Sequence, residues 1–496
     1  MAAPLDQAWS AAWSDFLSNR VAVAERRAAP FLHVLPAKLA RAAAEAGDSG
    51  PSSADAEELV TLADLAHIAG AVRGDTQLLR QAVEAYDEHL RRMPHNLQAM
   101  RMRAETLLRM RDYSEAFASF DSLYRASLSA EALEAAREVD AVAPFQLVHD
   151  AECIEDAVRQ GADPAFLTTA AGWRALAESL LLSTSGDATH RTPVRQLSES
   201  QQALLASHGR PLPLPQSQHA VSWSAAEGEV QAMRALRADI NWAEAVQTYA
   251  TRRILVVDDL LDERALAEMQ AYARHGAHFR TLRQGYLGAF PADGTTHPLV
   301  LRLAEELATA APQIFGDHAL ALWWIFKYDE TNPSGIGIHA DPACVNLNLW
   351  LTDDAACLEG GGLTVYSHVP PLEQETIQVN HVFDTPDAEE ALRAQLRAAG
   401  EVTTVPYRCN RATVFVSDQY HESLAFRFAP GYQQRRANLT LLFGDRWSAS
   451  AATPLPQGTP ESTKLHDTRA CNEQMGMQAS GKLELADTSN GWDVFD

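Results

Sequence analysis

The chain has 496 residues, of which 46% are hydrophobic, enough for two or three domains with their own cores. Its formal net charge of -24 and its pI of about 5.1 argue against nucleic acid or an anionic membrane surface as the main partner, because both attract basic patches. No cluster of five or more Lys and Arg residues interrupts this acidic balance.

The five cysteines are sparse and widely spaced: Cys153, Cys344, Cys357, Cys409 and Cys471. Without a Cys-x-x-Cys motif they are typical of reduced thiols in an intracellular protein. The first residues carry neither the basic nor the apolar region of a secretory signal peptide, and no apolar run reaches the roughly eighteen residues that span a membrane. We therefore expect a cytoplasmic protein without membrane contact.

Residues 1–182 are rich in Ala, Leu, Glu and Arg, which favour helices. A repeat at a 34-residue offset pairs four positions: Gly70 with Ala104, Leu79 with Tyr113, Ala82 with Ala116, and Tyr86 with Phe120. Small residues at the helix crossing, an aromatic residue four positions later and the terminal Pro94 resemble the tetratricopeptide repeat. Only two units are recognisable, so 5–46 and 130–182 are predicted to be helices that complete or cap the stack. The alternative is a generic helical bundle.

The predicted helix around residue 150 contains a histidine beside a carboxylate, His149-Asp150. Adjacent helical residues diverge in direction, so we expect capping and surface packing for this pair and no metal binding. Residues 183–222 turn polar and rich in Pro, Ser and His, which predicts a linker or long loop. A short helix is predicted around 223–249.

The chain from 253 onward is predicted to be mainly β. An apolar run at 253–259 leads into a predicted helix at 262–275. Further strands are predicted at 321–328, 345–352, 363–367, 403–407, 412–417 and 436–443. Short strands separated by turns favour an antiparallel sandwich or barrel, interrupted here by a helical insert at 386–399. The polar tail 448–496 is predicted to be disordered.

A candidate metal site emerges from the motif His339-Ala340-Asp341, the only histidine in the chain followed two residues later by a carboxylate. Side chains two apart on an extended strand point to the same face. His421 follows another predicted strand and can supply a second imidazole. Two histidines and one carboxylate on one face, with other positions open, form the facial triad of non-haem Fe(II) oxygenases.

The last predicted strand offers a cation for a carboxylate-bearing cosubstrate. Arg436, fifteen residues after His421, suits a bidentate clamp, and Arg435 on the opposite side of the strand is its rival. Strand alternation places Thr440 on the same face as Arg436. Tyr328 is a candidate phenol donor or an aromatic wall residue. Asn348 lies on an alternating strand whose polar face we expect to line the pocket.

Residues from about 252 to 447 resemble the Fe(II)/2-oxoglutarate-dependent dioxygenase superfamily, nearest to its prolyl-hydroxylase-like branch. The motifs that carry the resemblance are His339-x-Asp341, the distal His421, the basic residue on the final strand, and a Gly-Gly turn before Leu363-Thr364-Val365-Tyr366. It implies a double-stranded β-helix, or jelly-roll. Iron would be bound by the triad and 2-oxoglutarate anchored by Arg436, with Tyr328 as a secondary contact. Many animal-type prolyl hydroxylases use lysine as this anchor.

The expected fold is therefore an α+β multidomain one. It comprises an all-α, tetratricopeptide-like domain at 1–182, a linker at 183–222, a double-stranded β-helix domain at 223–447 and the tail. We expect a hydroxylase that uses Fe(II), 2-oxoglutarate and O₂, with ascorbate as an added reductant. An aspartate as third ligand favours hydroxylation over halogenation, which needs a vacant position for chloride.

The helical repeats suggest a protein or peptide substrate, with prolyl hydroxylation as the leading prediction. Two alternatives stay open. One is a catalytically silent scaffold that only binds partners, and the other is a hydroxylase of small molecules whose repeats serve homo-oligomerisation.

Overall fold

The computed structural model describes residues 5–45, 53–127, 141–159, 161–182, 195–202, 233–276, 279–283, 285–332, 335–371, 380 and 386–446. The predicted tail 448–496 and most of the predicted linker lie outside these residues. So do residues 223–232 of the helix predicted around 223–249, of which the part from Trp242 to Arg252 is helical.

The described helices fall into an N-terminal group of nine and a C-terminal group of four. The first group is α1 (Leu5–Leu17), α2 (Val21–Ala28), α3 (Leu35–Glu45), α4 (Ser53–Arg73), α5 (Thr76–Arg92), α6 (Leu97–Arg109), α7 (Tyr113–Ser127), α8 (Pro144–Arg159) and α9 (Leu167–Leu182). The second group is α10 (Trp242–Arg252), α11 (Glu263–Ala271), α12 (Pro298–Ala310) and α13 (Pro386–Ala399). Within the described ranges, no helix is long and apolar enough to cross a membrane.

Helices α4 to α7 form two consecutive hairpins, because only a few residues separate α4 from α5 and α6 from α7. The small residues of the sequence repeat lie where these helices touch. A Cβ on Gly70 would come within 2.9 Å of the Leu79 side chain, so a larger residue at this crossing would force Leu79 to shift. Ala82, Tyr86 and Phe120 are fully or almost fully buried.

The described ranges contain fifteen short strands, most of them in the C-terminal half. They are β1 (Ala141–Val142), β2 (Arg195–Gln196), β3 (Ile254–Val257), β4 (Thr281–Arg283), β5 (Tyr286–Ala289), β6 (Leu320–Tyr328), β7 (Thr331–Asn332), β8 (Val345–Trp350), β9 (Cys357–Gly360), β10 (Leu363–Tyr366), β11 (Val402–Val405), β12 (Ala412–Val416), β13 (His421–Ser423), β14 (Phe426–Phe428) and β15 (Ala437–Phe443). Strand β2 falls in the segment predicted as linker and pairs with β1.

The main sheet has seven antiparallel strands in the order β3-β12-β8-β15-β6-β5-β4. Two three-stranded sheets, β11-β10-β13 and β7-β14-β9, complete the β domain. Trp350 and Phe415 from the main sheet share a core with three residues of the β11-β10-β13 sheet, namely Leu363, Val365 and Val405. The inner faces of the sheets therefore pack on each other, and the domain is jelly-roll-like, as expected.

The outer face of the main sheet is covered by helices from both halves of the chain. Its alternate residues, such as Leu347 and Leu441, share one core with α6, α7 and α12. Trp323 stacks on Phe117 of α7 with ring centroids 4.6 Å apart. The N-terminal helices are thus built into the β domain.

Helices α8 and α9 pack on each other around their own small core. Helix α8 also contacts the β domain at Tyr272–Gly276 and Tyr432–Gln434. Contrary to the prediction of a surface position, His149 and Asp150 are buried, and His149 Nδ1 lies 2.8 Å from Asp150 Oδ1. The pair is buried because α8 is sandwiched between α9 and the β domain.

Candidate metal centre and cosubstrate pocket

The two predicted imidazoles are brought together by direct backbone pairing. His339 and His421 form an isolated antiparallel bridge, in which each N–H donates to the other residue's carbonyl, at 2.9 and 2.8 Å. Directly paired residues point to the same face of a sheet. The ring centroids accordingly lie 4.1 Å apart.

Both imidazoles are oriented by their own local backbone. His339 Nδ1 lies 2.8 Å from the Gly337 carbonyl, and His421 Nδ1 lies 2.9 Å from the Gln419 carbonyl. A ring nitrogen that faces a carbonyl must carry the proton, which leaves Nε2 of each ring as a free lone pair. Metal-binding histidines are typically held in this way.

Asp341 completes the group. The ligand atoms of His339, Asp341 and His421 all lie within 4.8 Å of one another, and they form the only group of this kind among the described residues. Asp341 Oδ2 accepts a hydrogen bond from Asn346 Nδ2 at 2.7 Å and lies 3.5 Å from His421 Nε2. Its other oxygen, Oδ1, is buried and accepts no hydrogen bond from the described residues. A buried, unsatisfied carboxylate oxygen beside two free imidazole lone pairs fits a divalent cation.

The protonation state of the site also suits a cation. Burial and, to a smaller extent, the nearby imidazole of His421 lower the pKa of His339 to about 4. This histidine is therefore neutral at physiological pH, with its lone pair available to a metal ion.

The two candidate anchors, Arg435 and Arg436, differ in their partners. Arg435 makes ion pairs with Asp329 and Glu152, each at 2.8 Å, so its charge is already balanced. Arg436 points to the other face, where it donates to the Gly361 carbonyl at 3.1 Å and to Asn438 Oδ1 at 3.3 Å. Within the described part of the chain, no carboxylate pairs with Arg436.

Tyr328 lies directly beneath this guanidinium. The carbon at the centre of the Arg436 guanidinium is 4.5 Å from the centroid of the Tyr328 ring and 5.2 Å from that of Phe426. Burial raises the pKa of the Tyr328 phenol, which therefore stays protonated. Tyr328 is both an aromatic wall and a potential donor, so the two expectations for it are compatible.

The polar side chains predicted for the pocket share the inner face of the main sheet. Asn348 on β8 pairs in register with Thr440 on β15, and Asn348 Nδ2 donates to Thr440 Oγ1 at 3.2 Å. Asn438 Nδ2 donates to the same hydroxyl at 3.2 Å. The carbonyl oxygens of Asn346 and Asn348 are buried and accept no hydrogen bond from the described residues. Free acceptors on this face are available to a polar ligand.

Several supporting residues were not found from the sequence. Asn380 binds the backbone of Ala340, the residue between His339 and Asp341. Its side chain accepts from Ala340 N at 3.0 Å and donates to Ala340 O at 3.2 Å. Glu422, next to His421, accepts hydrogen bonds from Arg393 of α13 and from Tyr366. The helical insert was predicted, but no local pattern indicates that it packs beside the metal-binding segment.

No protein-family profile matches the chain, and no curated protein matches it in sequence. Solved structures to which the chain is similar include a prolyl-4-hydroxylase from Pseudomonas putida (18% identity, 43% of this chain and 98% of that one, TM-score 0.27). Others are the non-heme alpha ketoglutarate dependent epimerase SnoN from nogalamycin biosynthesis (18%, 41% and 83%, 0.28) and HygX from Streptomyces hygroscopicus with nickel and 2-oxoglutarate bound (14%, 41% and 86%, 0.29). At such TM-scores these alignments carry no weight on function.

The site itself defines a class. Two histidines and one aspartate converge from two segments of a jelly-roll-like domain, and a buried arginine that pairs with no carboxylate among the described residues lies on the inner face of the same sheets. Two imidazoles and one carboxylate on one face, with other positions open, are the ligand set of non-haem Fe(II) oxygenases.

Proposed function

We propose that this protein is an Fe(II)- and 2-oxoglutarate-dependent dioxygenase. The observation that carries the proposal is the environment of Arg436, a guanidinium buried against two aromatic rings. None of its contacts within the described residues is a carboxylate. A buried charge is costly unless an opposite charge compensates it. The carboxylate of a bound cosubstrate would supply that charge, with bidentate geometry that suits a guanidinium.

The remaining roles follow from the same geometry. His339, Asp341 and His421 would hold the iron. When bound, Fe(II) supplies the activation of O₂ that converts 2-oxoglutarate to succinate and CO₂ and places the second oxygen atom in a substrate C–H bond. Arg436 would fix the distal carboxylate of 2-oxoglutarate, and Asn348 and Thr440 would orient it through hydrogen bonds. The aromatic rings around Arg436 keep water from this end of the pocket.

We further propose a polypeptide substrate, with proline as the first candidate residue. The support is the stack α4 to α7, whose buried Ala82, Tyr86, Ala116 and Phe120 occupy the positions expected of tetratricopeptide-like units. Such stacks present extended surfaces that bind peptides.

The test is turnover by the purified full-length chain with Fe(II), 2-oxoglutarate and ascorbate. We expect succinate formation that depends on iron, and new oxygen on prolyl residues when cell-lysate proteins are added and analysed by mass spectrometry. A folded, iron-loaded protein that leaves 2-oxoglutarate intact would favour a β domain that only binds partners. Oxygen found only on small molecules would refute the polypeptide substrate alone.

The anchor can be tested separately by Arg436→Gln. The loss of charge-assisted hydrogen bonds to a carboxylate is expected to weaken 2-oxoglutarate binding on the order of 10- to 100-fold. Calorimetry on the Ni(II)-loaded protein measures this without turnover. Arg408→Gln is the matched control, because Arg408 pairs with Asp258 and Asp259 on the surface. Equal affinities of the two variants would contradict the anchor.

A further inference from the structure

Helix α8 presents a polar face to the loop that precedes β15. Glu152 Oε2 accepts hydrogen bonds from Arg435 Nη2 at 2.8 Å and from Arg435 Nε at 3.1 Å. One turn further along the helix, Asp156 Oδ1 accepts from Gln433 Nε2 at 3.2 Å. The helix therefore contacts this loop through two side chains spaced one turn apart.

Arg435 is fixed from two directions. Its Nη1 donates to Asp329 Oδ1 at 2.8 Å, opposite the contact with Glu152, and the residue is 2% exposed. Its carbonyl accepts a hydrogen bond from Thr352 Oγ1 at 2.8 Å. A guanidinium held by two carboxylates in a buried site has one preferred position, because each displacement breaks a charge-assisted bond.

The residues next to this ion-pair group are the two proposed cosubstrate contacts. Arg436 follows Arg435, and Tyr328 precedes Asp329. The Tyr328 N–H donates to the Arg436 carbonyl at 3.0 Å, which joins the two strands at this point. On the face of these strands that points away from the pocket, Lys327 Nζ donates to the Tyr432 hydroxyl at 3.1 Å. Arg435 and Asp329 thus face α8, while Arg436 and Tyr328 face the pocket.

We propose that α8 is a positioning element for the cosubstrate pocket, and that Glu152 acts through Arg435 to set the place of the Arg436 guanidinium. The inference rests on the proposed function and adds to it a contribution from the N-terminal helices. Small displacements of a binding group carry large losses of affinity, so a contact made behind the pocket controls the affinity within it.

Helix α8 provides its own matched control. Glu155 lies three residues from Glu152 on the same helix, but it pairs with Arg174 of α9, at 2.7 and 2.8 Å, and no hydrogen bond joins it to the described part of the β domain. Glu152→Gln and Glu155→Gln each remove one carboxylate charge from one paired arginine. The two pairs differ in burial, since the Arg435 side chain is 1% exposed and that of Arg174 is 36% exposed. A purely structural role for Glu152 therefore predicts a lower free energy of unfolding with an unchanged Kd for 2-oxoglutarate.

The experiment measures the Kd of 2-oxoglutarate by calorimetry on the Ni(II)-loaded full-length chain, which needs no turnover. We expect Glu152→Gln to raise the Kd about tenfold and Glu155→Gln to leave it unchanged. The shorter but still charged Glu152→Asp should give an intermediate value, measured against Glu155→Asp. This aspartate pair decides the matter if Glu152→Gln does not fold.

Arg436→Gln distinguishes failure of the positioning role of Glu152 from failure of the proposed anchor. If Arg436→Gln weakens binding while the Glu152 variants match their Glu155 controls, the positioning role is refuted and the proposed anchor stands. If Arg436→Gln binds 2-oxoglutarate as tightly as the unchanged protein, the anchor itself is wrong and the positioning role falls with it.

Discussion

Replacing Asp341 with alanine is expected to abolish metal binding at the site and, with it, the formation of succinate. Asp341 supplies the only carboxylate of the ligand group, and its Oδ1 is buried without a hydrogen-bond partner among the described residues. Two imidazoles remain after the substitution, and they carry no negative charge to balance a divalent cation. We expect the affinity for Ni(II) or Co(II), measured by calorimetry, to fall by more than about 100-fold.

Two further variants show whether this loss is specific. Asn346→Ala removes the hydrogen bond of 2.7 Å that orients Asp341 Oδ2, and such supporting contacts typically contribute about 10- to 100-fold in metal affinity. Asp239→Ala removes a carboxylate from the surface and should change nothing at the site. If Asp341→Ala retained the metal affinity of Asp239→Ala, Asp341 would not be a ligand.

Replacing Trp323 with alanine is expected to lower the free energy of unfolding by about 3–5 kcal/mol, the usual cost of deleting a fully buried aromatic side chain. Trp323 stacks on Phe117, meets Phe120 edge-on at 5.8 Å, and donates from Nε1 to the Thr295 carbonyl at 2.6 Å. The substitution removes the ring that joins α7 to the outer face of the main sheet. Urea unfolding followed by circular dichroism measures the change.

Trp323→Phe is the graded control, because it keeps most of the ring contacts and loses the hydrogen bond. We expect it to cost less than half as much as alanine. A change below about 1 kcal/mol for Trp323→Ala would mean that α7 does not pack on the sheet as described.

The shared core also means that residues 1–182 cannot be deleted without disturbing the β domain, since their removal would expose apolar residues of the main sheet. Substrate recognition by the helices is better tested by point substitutions.

Strand β8 was predicted correctly because its sequence alternates strongly. In β8, Val345, Leu347 and Leu349 enter the outer core, whereas Asn346 and Asn348 face inward, as the alternating sequence indicates. The helical insert has the predicted bounds, Pro386–Ala399, because it begins at a proline and ends before a glycine. Short strands such as Thr281–Arg283 were missed, since three residues are too few to show a period.

The candidate site was only partly readable from the sequence. The spacing of His339 and Asp341 places them on one face, and the structure brings His421 to the same point. Strand alternation separates Arg435 from Arg436 but does not tell which face is the inner one. Arg435 faces away from the pocket, toward its partner Glu152, which lies 283 residues before Arg435 in the chain. The burial of His149 was missed for the same reason, because the surface that covers α8 comes from distant segments.

The backbone bridge between His339 and His421 has a consequence for how the protein handles its metal. The peptide groups of the two residues bond to each other, and each imidazole bonds to a carbonyl two positions earlier, so the spacing of the rings is a property of the polypeptide and not of the ion. An apoprotein prepared with a chelator would keep this spacing, in contrast to small zinc domains that unfold when stripped. Loading and release of the ion then become simple binding steps, governed by how much free metal surrounds the protein.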